Sequence, residues 1–210
     1  MTEKTLLILG NDKISAQVHA SLPLDERLVV AIDHSTNAGR VLRLLRRGSL
    51  TLRLVAQMFW CELCRSAPRG SSMGESVASN GDMVRLINRY APQRVVLFRA
   101  GLIINRAVLA TGVPIMNIHC AKVPEFGGIG SIARALRDHA YQQCATLHQV
   151  TETIDSGVVF DTEAYELDPD RSYCENEDKA YAAGYCLLLR TLQQSQANVE
   201  ISAEYCCSHF

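Results

Sequence analysis

Four short apolar runs constrain this chain more than any other feature: TLLIL (5–9), RLVVAI (27–32), RVVLF (94–98) and VPIMNI (113–118). None shows the apolar/polar alternation of a half-solvated strand, so each suits a strand covered on both faces. TLLIL ends in Gly10 and Asn11, and helical spacing through ISAQVHASL then separates it from RLVVAI. That β-α-β opening favours a mostly parallel sheet. From Asn37 to Trp60, Leu and Val recur at helical spacing between Arg40, Arg43, Arg46, Arg47 and Arg53, with a break at Gly48-Ser49. Two amphipathic helices fit. Their arginines read as a solvated face, with a phosphate-facing patch as the sharper alternative. RSAPRGSSMGESVASNGD (65–82) lacks periodicity and is expected to be a mobile loop.

Downstream, helices are expected at 83–90, 105–111, 131–140 and 175–194, and strands at 145–150 and 158–167. The fold class is therefore α/β, a Rossmann-like, mostly parallel sheet with helices on both faces. A chain of 210 residues with 48% apolar content can bury a full core, so one domain spanning 1–210 is expected. Basic and acidic residues nearly cancel, 21 against 22, which argues against a dedicated nucleic-acid binder or a protein held on membranes by charge. The opening apolar run is far shorter than a signal-peptide core or membrane span, and a cytoplasmic location is expected.

The cysteines Cys61, Cys64, Cys120, Cys144, Cys174, Cys186, Cys206 and Cys207 are scattered, several within apolar runs. They are expected to be reduced, core-filling thiols without disulfides. CELC (61–64) has ligand spacing, but only the tail CCSH (206–209) could complete four ligands, so no metal is expected. GIGSIA (128–133) matches a dinucleotide fingerprint, yet it follows a ten-residue loop rather than the first strand, which disfavours a nicotinamide or flavin site.

Asn117 and His119 close the run VPIMNI, at the carboxyl end of a strand, where ligand sites of open α/β sheets collect. The chain continues through CAKVPEFGG (120–128) to a helix, then TLH (146–148), then DSG (155–157) ahead of a further strand. Over about residues 81 to 195 this succession resembles the tetrahydrofolate-dependent formyltransferase family. That family includes glycinamide ribonucleotide formyltransferase, the catalytic domain of methionyl-tRNA formyltransferase and sugar N-formyltransferases. There an Asn-x-His strand end, a Pro- and Gly-containing loop, a TxH triplet and an Asp-x-Gly turn recur in this order. Asp155 follows Asn117 by 38 residues, as the resemblance requires.

The resemblance implies a formyltransferase-type fold and 10-formyltetrahydrofolate as co-substrate, with no metal. It makes Asn117, His119 and Asp155 the catalytic residues, the amide and imidazole N–H facing an oxyanion and the carboxylate managing proton traffic. Folate would be held largely by main chain at Leu102, Ile103 and Ile104 and at Val150, Thr151, Glu152 and Ile154. Gly127 and Gly128 would let backbone approach a ligand.

The implied partner is a small-molecule amine, with an amino sugar on a nucleotide favoured. A homodimer is compatible with this reading, and neither nucleic acid nor membrane is expected. The loop departs from the family pattern at Cys120, Ala121, Lys122 and Val123, and Leu102 stands where an arginine is common. ILGNDKIS lacks the phosphate loop of the purine enzyme, which disfavours glycinamide ribonucleotide as acceptor. A 10-formyltetrahydrofolate hydrolase and a non-catalytic folate- or nucleotide-binding module remain the alternatives.

Overall fold

A computed structural model describes residues 4–35, 38–48, 50–66, 68 and 74–194. In chain order the elements are β1 (Thr5–Gly10), α1 (Lys13–Ser21), β2 (Leu28–Asp33), α2 (Ala38–Arg46), α3 (Leu52–Cys64), β3 (Glu75–Val77), α4 (Asn80–Tyr90) and β4 (Arg94–Phe98). They continue with α5 (Arg106–Leu109), β5 (Ile115–His119), α6 (Ser131–Arg137), β6 (Gln142–Gln149), β7 (Val159–Glu166) and α7 (Tyr173–Gln194). The described strands form one sheet in the order β3-β2-β1-β4-β5-β6-β7. Pairings from β3 to β5 are parallel, and those of β5 with β6 and β6 with β7 are antiparallel.

The central strand shows why TLLIL lacks alternation. Leu7 and Leu9 pack with Ile14 and Val18 of α1, Ile132 of α6 and Leu187 of α7, whereas Leu6 and Ile8 pack with Met83 and Leu86 of α4 and Val108 of α5. Both faces are thus covered, and each fully buried Leu or Ile contributes about 1.5–3 kcal/mol of apolar transfer. From β1 the chain crosses through α1 to β2 on one side, and from β4 through α5 to β5 on the other. The strand order reverses between β1 and β4, which opens a crevice at their carboxyl ends.

Three expectations need correction. The segment 65–82 is not loop throughout: Glu75–Val77 pair in parallel with Ala31–Asp33, and α4 begins at Asn80. Ser79 starts that helix by accepting from the Asp82 N–H, a cap that the surrounding run of serines conceals. Residues 67 and 69–73 lie outside the described residues. VPIMNI is parallel only towards β4, since β5 takes an antiparallel neighbour in β6.

The third correction concerns the thiols. Cys61 and Cys174 form a disulfide across 113 residues of sequence, their Cα atoms 5.4 Å apart. The fold supplies the proximity that scattered spacing hides: α3 lies against the start of α7. Arg65, just past α3, also bonds both Glu177 and Asp178 of α7. Cys64 is an exposed thiol and Cys120 a buried one, while Cys206, Cys207 and His209 lie outside the described residues. Among the described residues no helix is long and apolar enough to cross a membrane.

Candidate functional site

β5 delivers Asn117 and His119 to the crevice because side chains two apart share one face of a strand. β6 runs antiparallel beside it and sets His148 opposite Asn117. The Asn117 amide nitrogen lies 3.1 Å from His148 Nε2, and His148 Nδ1 lies 3.0 Å from the Gln149 carbonyl. A carbonyl only accepts, so Nδ1 carries the proton, and in the neutral ring Nε2 accepts from Asn117. His148 is almost wholly buried, so this contact fixes the amide's orientation.

His119 Nε2 lies 2.9 Å from the Phe126 carbonyl. By the same reasoning Nε2–H donates there, and Nδ1 faces Asp155 Oδ2 at 3.7 Å. Burial lowers the His119 pKa below its usual 6.5, and the Asp155 charge recovers only part of that loss. The ring is therefore neutral around pH 7, with a lone pair turned towards a carboxylate. Burial also opposes charge on Asp155, yet His148 and His119, in their protonated forms at the low pH where the carboxyl titrates, together with the Gly128 N–H hold it at about 2. Asp155 Oδ2 accepts from Gly128 N–H at 2.6 Å, and Oδ1 lies 3.5 Å from His148 Nε2.

Local chain geometry brings these groups together. Gly128 adopts φ +77°, a left-handed conformation that turns its N–H onto Asp155. At Gly157 a Cβ would lie 2.0 Å from the Gln149 carbonyl oxygen, so only glycine lets the 150–157 turn close against the end of β6. Arg134 of α6 binds the Ile129 carbonyl at 2.5 Å and also the Gly127 carbonyl, tying the glycine loop to a helix. Cys120, which starts the loop, is inert: burial pushes its thiol up to about 12.

A second wall comes from the chain after β4. The Asp33 carboxylate, 1% exposed at the end of β2, accepts the N–H groups of Gly101 at 2.5 Å and Leu102 at 2.8 Å, and its other oxygen takes Ser35 N–H. Asn80 holds the same segment from α4, donating to the Ile103 carbonyl and accepting from Asn105 N–H. Between these walls lies a cleft of about 380 Å³. Asn117, His119, Asp155, Leu102, Ile103, Ile104, Val150, Thr151, Glu152 and Ile154 all line it. These ten residues and Gly128 therefore meet in one cavity, whereas Gly127 is not part of its lining.

The family model described as formyl transferase matches residues 29–192. The chain belongs to the formyl transferase family. Solved structures share its fold at low sequence identity. A phosphoribosylglycinamide formyltransferase from Anaplasma phagocytophilum matches with TM-score 0.63 and 13% identity, covering 100% of this chain and 97% of that one. A formyltetrahydrofolate deformylase from Pseudomonas syringae matches with TM-score 0.63 and 18% identity, covering 97% and 64%. A sugar N-formyltransferase from a Shewanella species matches with TM-score 0.57 and 15% identity, covering 98% and 75%. No curated protein matches this chain significantly in sequence.

This formyl transferase places other residues at the cleft that sequence reasoning did not single out. His148 was visible only as part of TLH. Asp33 had one signal, an acidic residue ending an apolar strand. Arg99 had none: it lines the cleft from a left-handed backbone position, φ 57°, with its guanidinium 3.8 Å over the Tyr181 ring. Arg43, Arg46, Arg47 and Arg53 are exposed and contribute nothing to the cleft lining, which takes Met58 alone from the α2–α3 segment. Among the described residues no group of three or more His, Cys, Asp or Glu is placed to hold a metal ion.

Proposed function

We propose that this formyl transferase moves the formyl group of 10-formyltetrahydrofolate to a primary amine of a small molecule, with an amino sugar as the favoured acceptor. One observation carries the reading: an amide, a neutral imidazole and an ionised carboxylate converge where two main-chain segments, 101–104 and 150–155, form the walls of one cleft. The folate supplies a formyl carbon that an amine can attack. What remains is charge management, since attack leaves negative charge on oxygen and an extra proton on nitrogen.

Asn117 gives one amide hydrogen to His148 and keeps the other for the developing oxyanion. The expected donation from the His119 imidazole does not fit the neutral ring, whose only N–H is committed to the Phe126 carbonyl. His119 Nδ1 is better suited to take the proton from the attacking nitrogen, and Asp155 at 3.7 Å stabilises the imidazolium that forms; that proton then passes to N10 of the folate as the bond between N10 and the formyl carbon breaks, which releases tetrahydrofolate. Leu102, Ile103, Ile104, Val150, Thr151, Glu152 and Ile154 would then flank the folate ring.

Water in place of the amine would make the same site a hydrolase. Incubation with 10-formyltetrahydrofolate and a panel of amines decides between them. We expect tetrahydrofolate release to match N-formyl product and to require the amine. Equal release without any amine identifies a hydrolase, and no release under either condition removes the catalytic reading.

A further inference from the structure

The cleft is also lined by Arg99, Glu177, Tyr173 and Tyr181, and Arg99 reaches Asp12, the residue that caps α1. The amino end of α1, a nine-residue helix, leaves the central strand at the topological switch point. Such an end ordinarily attracts a phosphate, because free N–H groups and the helix dipole point at it. Here two of those groups are used from within the chain. Ser15 N–H donates to Asp12 Oδ1 at 2.8 Å, and Lys13 N–H donates to Glu62 Oε1 of α3 at 2.9 Å.

The neighbouring cations are engaged as well. Arg99 Nε binds Asp12 Oδ2 at 2.8 Å, Arg65 binds Glu177 and Asp178, and the Lys13 ammonium binds the Leu63 and Arg65 carbonyls. Among the described residues, four carboxylates (Asp12, Glu62, Glu177 and Asp178) face three cations (Lys13, Arg65 and Arg99). Two buried donors here lack a hydrogen-bond partner, Ser15 Oγ and Arg99 Nη1, and of these residues Arg99 alone lines the cleft, so its Nη1 is the donor open to a ligand. It asks for a single neutral oxygen, which a hydroxyl or carbonyl provides. A phosphate would add about two negative charges to a cluster already short of positive charge.

We infer that the chain carries a built-in anion at the place where a phosphorylated substrate would dock. The acceptor that enters the cleft is accordingly an unphosphorylated, hydroxyl-bearing amine, with Arg99, Glu177 and Tyr181 reading its polar groups. Any phosphate on that acceptor stays outside. This deepens, and rests on, the proposed amine-directed formyl transfer.

Calorimetric titration of inorganic phosphate into the wild type, Glu62→Gln and Asp12→Asn tests the built-in anion. Glu62→Gln leaves the Asp12–Arg99 pair intact and keeps the test available if Asp12→Asn does not fold. We expect no saturable phosphate binding by the wild type and saturable binding by Glu62→Gln, with the same gain in Asp12→Asn where it folds. Glucosamine should bind the wild type more tightly than glucosamine 6-phosphate.

Saturable phosphate binding by the wild type, no gain in Glu62→Gln, or tighter binding of the phosphorylated sugar would each overturn the inference. Titration with 5-formyltetrahydrofolate is the separate control. Its failure in the wild type would sink the folate reading while leaving the phosphate result intact.

Discussion

Removing a donor aimed at a developing oxyanion costs about 10²–10³ in rate, so Asn117→Ala should lower turnover by about 10²-fold or more. His119→Ala and Asp155→Ala should do the same, with circular dichroism confirming that each variant stays folded. The pH profile separates the roles. Because burial lowers the His119 pKa, the acid limb of kcat should fall below pH 6.5. Asp155→Asn removes the charge that raises this pKa, so the surviving activity should show its limb shifted to still lower pH. A shift upward, or no shift, would mean that Asp155 does not act on the ring. The same sign governs stability. Folding with a neutral, buried His119 is fully favourable above the unfolded pKa of 6.5, and this contribution is lost as pH falls through the lower folded value.

At the scale of elements, the loop after β4 depends on a strand it does not touch in sequence. Asp33→Ala would leave the Gly101 and Leu102 N–H groups without their acceptor, each such loss costing about 1–3 kcal/mol. We expect the KM for 10-formyltetrahydrofolate to rise by about tenfold, with kcat changed much less. Asp33→Asn, which retains one acceptor oxygen, should recover part of the loss; a kcat defect with unchanged KM would assign Asp33 elsewhere.

This dependence also shows how far sequence reading reaches. TLLIL, RVVLF and VPIMNI were legible because strands buried on both faces need unbroken apolar runs, and the grouping of Asn117, His119 and Asp155 in one cleft because the order NIH, TLH, DSG resembles that of the formyl transferase family. β3 was not, since three residues of ESV gain their conformation only from pairing with β2. Arg99 and Asp33 were illegible as partners of the cleft for the same reason: their roles are set by contacts 68 to 87 residues away in sequence.

For the whole molecule, the Cys61–Cys174 bridge ties the two ends of a long central segment together. In the chain-entropy view, closing a loop of 113 residues restricts the unfolded chain by about 4–5 kcal/mol. Reduction, or a Cys61→Ser/Cys174→Ser double substitution, should therefore lower the denaturant midpoint of unfolding by a corresponding amount. An unchanged midpoint under reductant would deny the bridge that role. The closed segment holds β3 to β7, while β1 and β2 lie outside it. Denatured but unreduced, the protein is thus a ring with two tails, formed by residues 1–60 and 175–210. A ring of this size has a smaller hydrodynamic radius than the open chain, so in a denaturing gel the unreduced protein should migrate ahead of the reduced one.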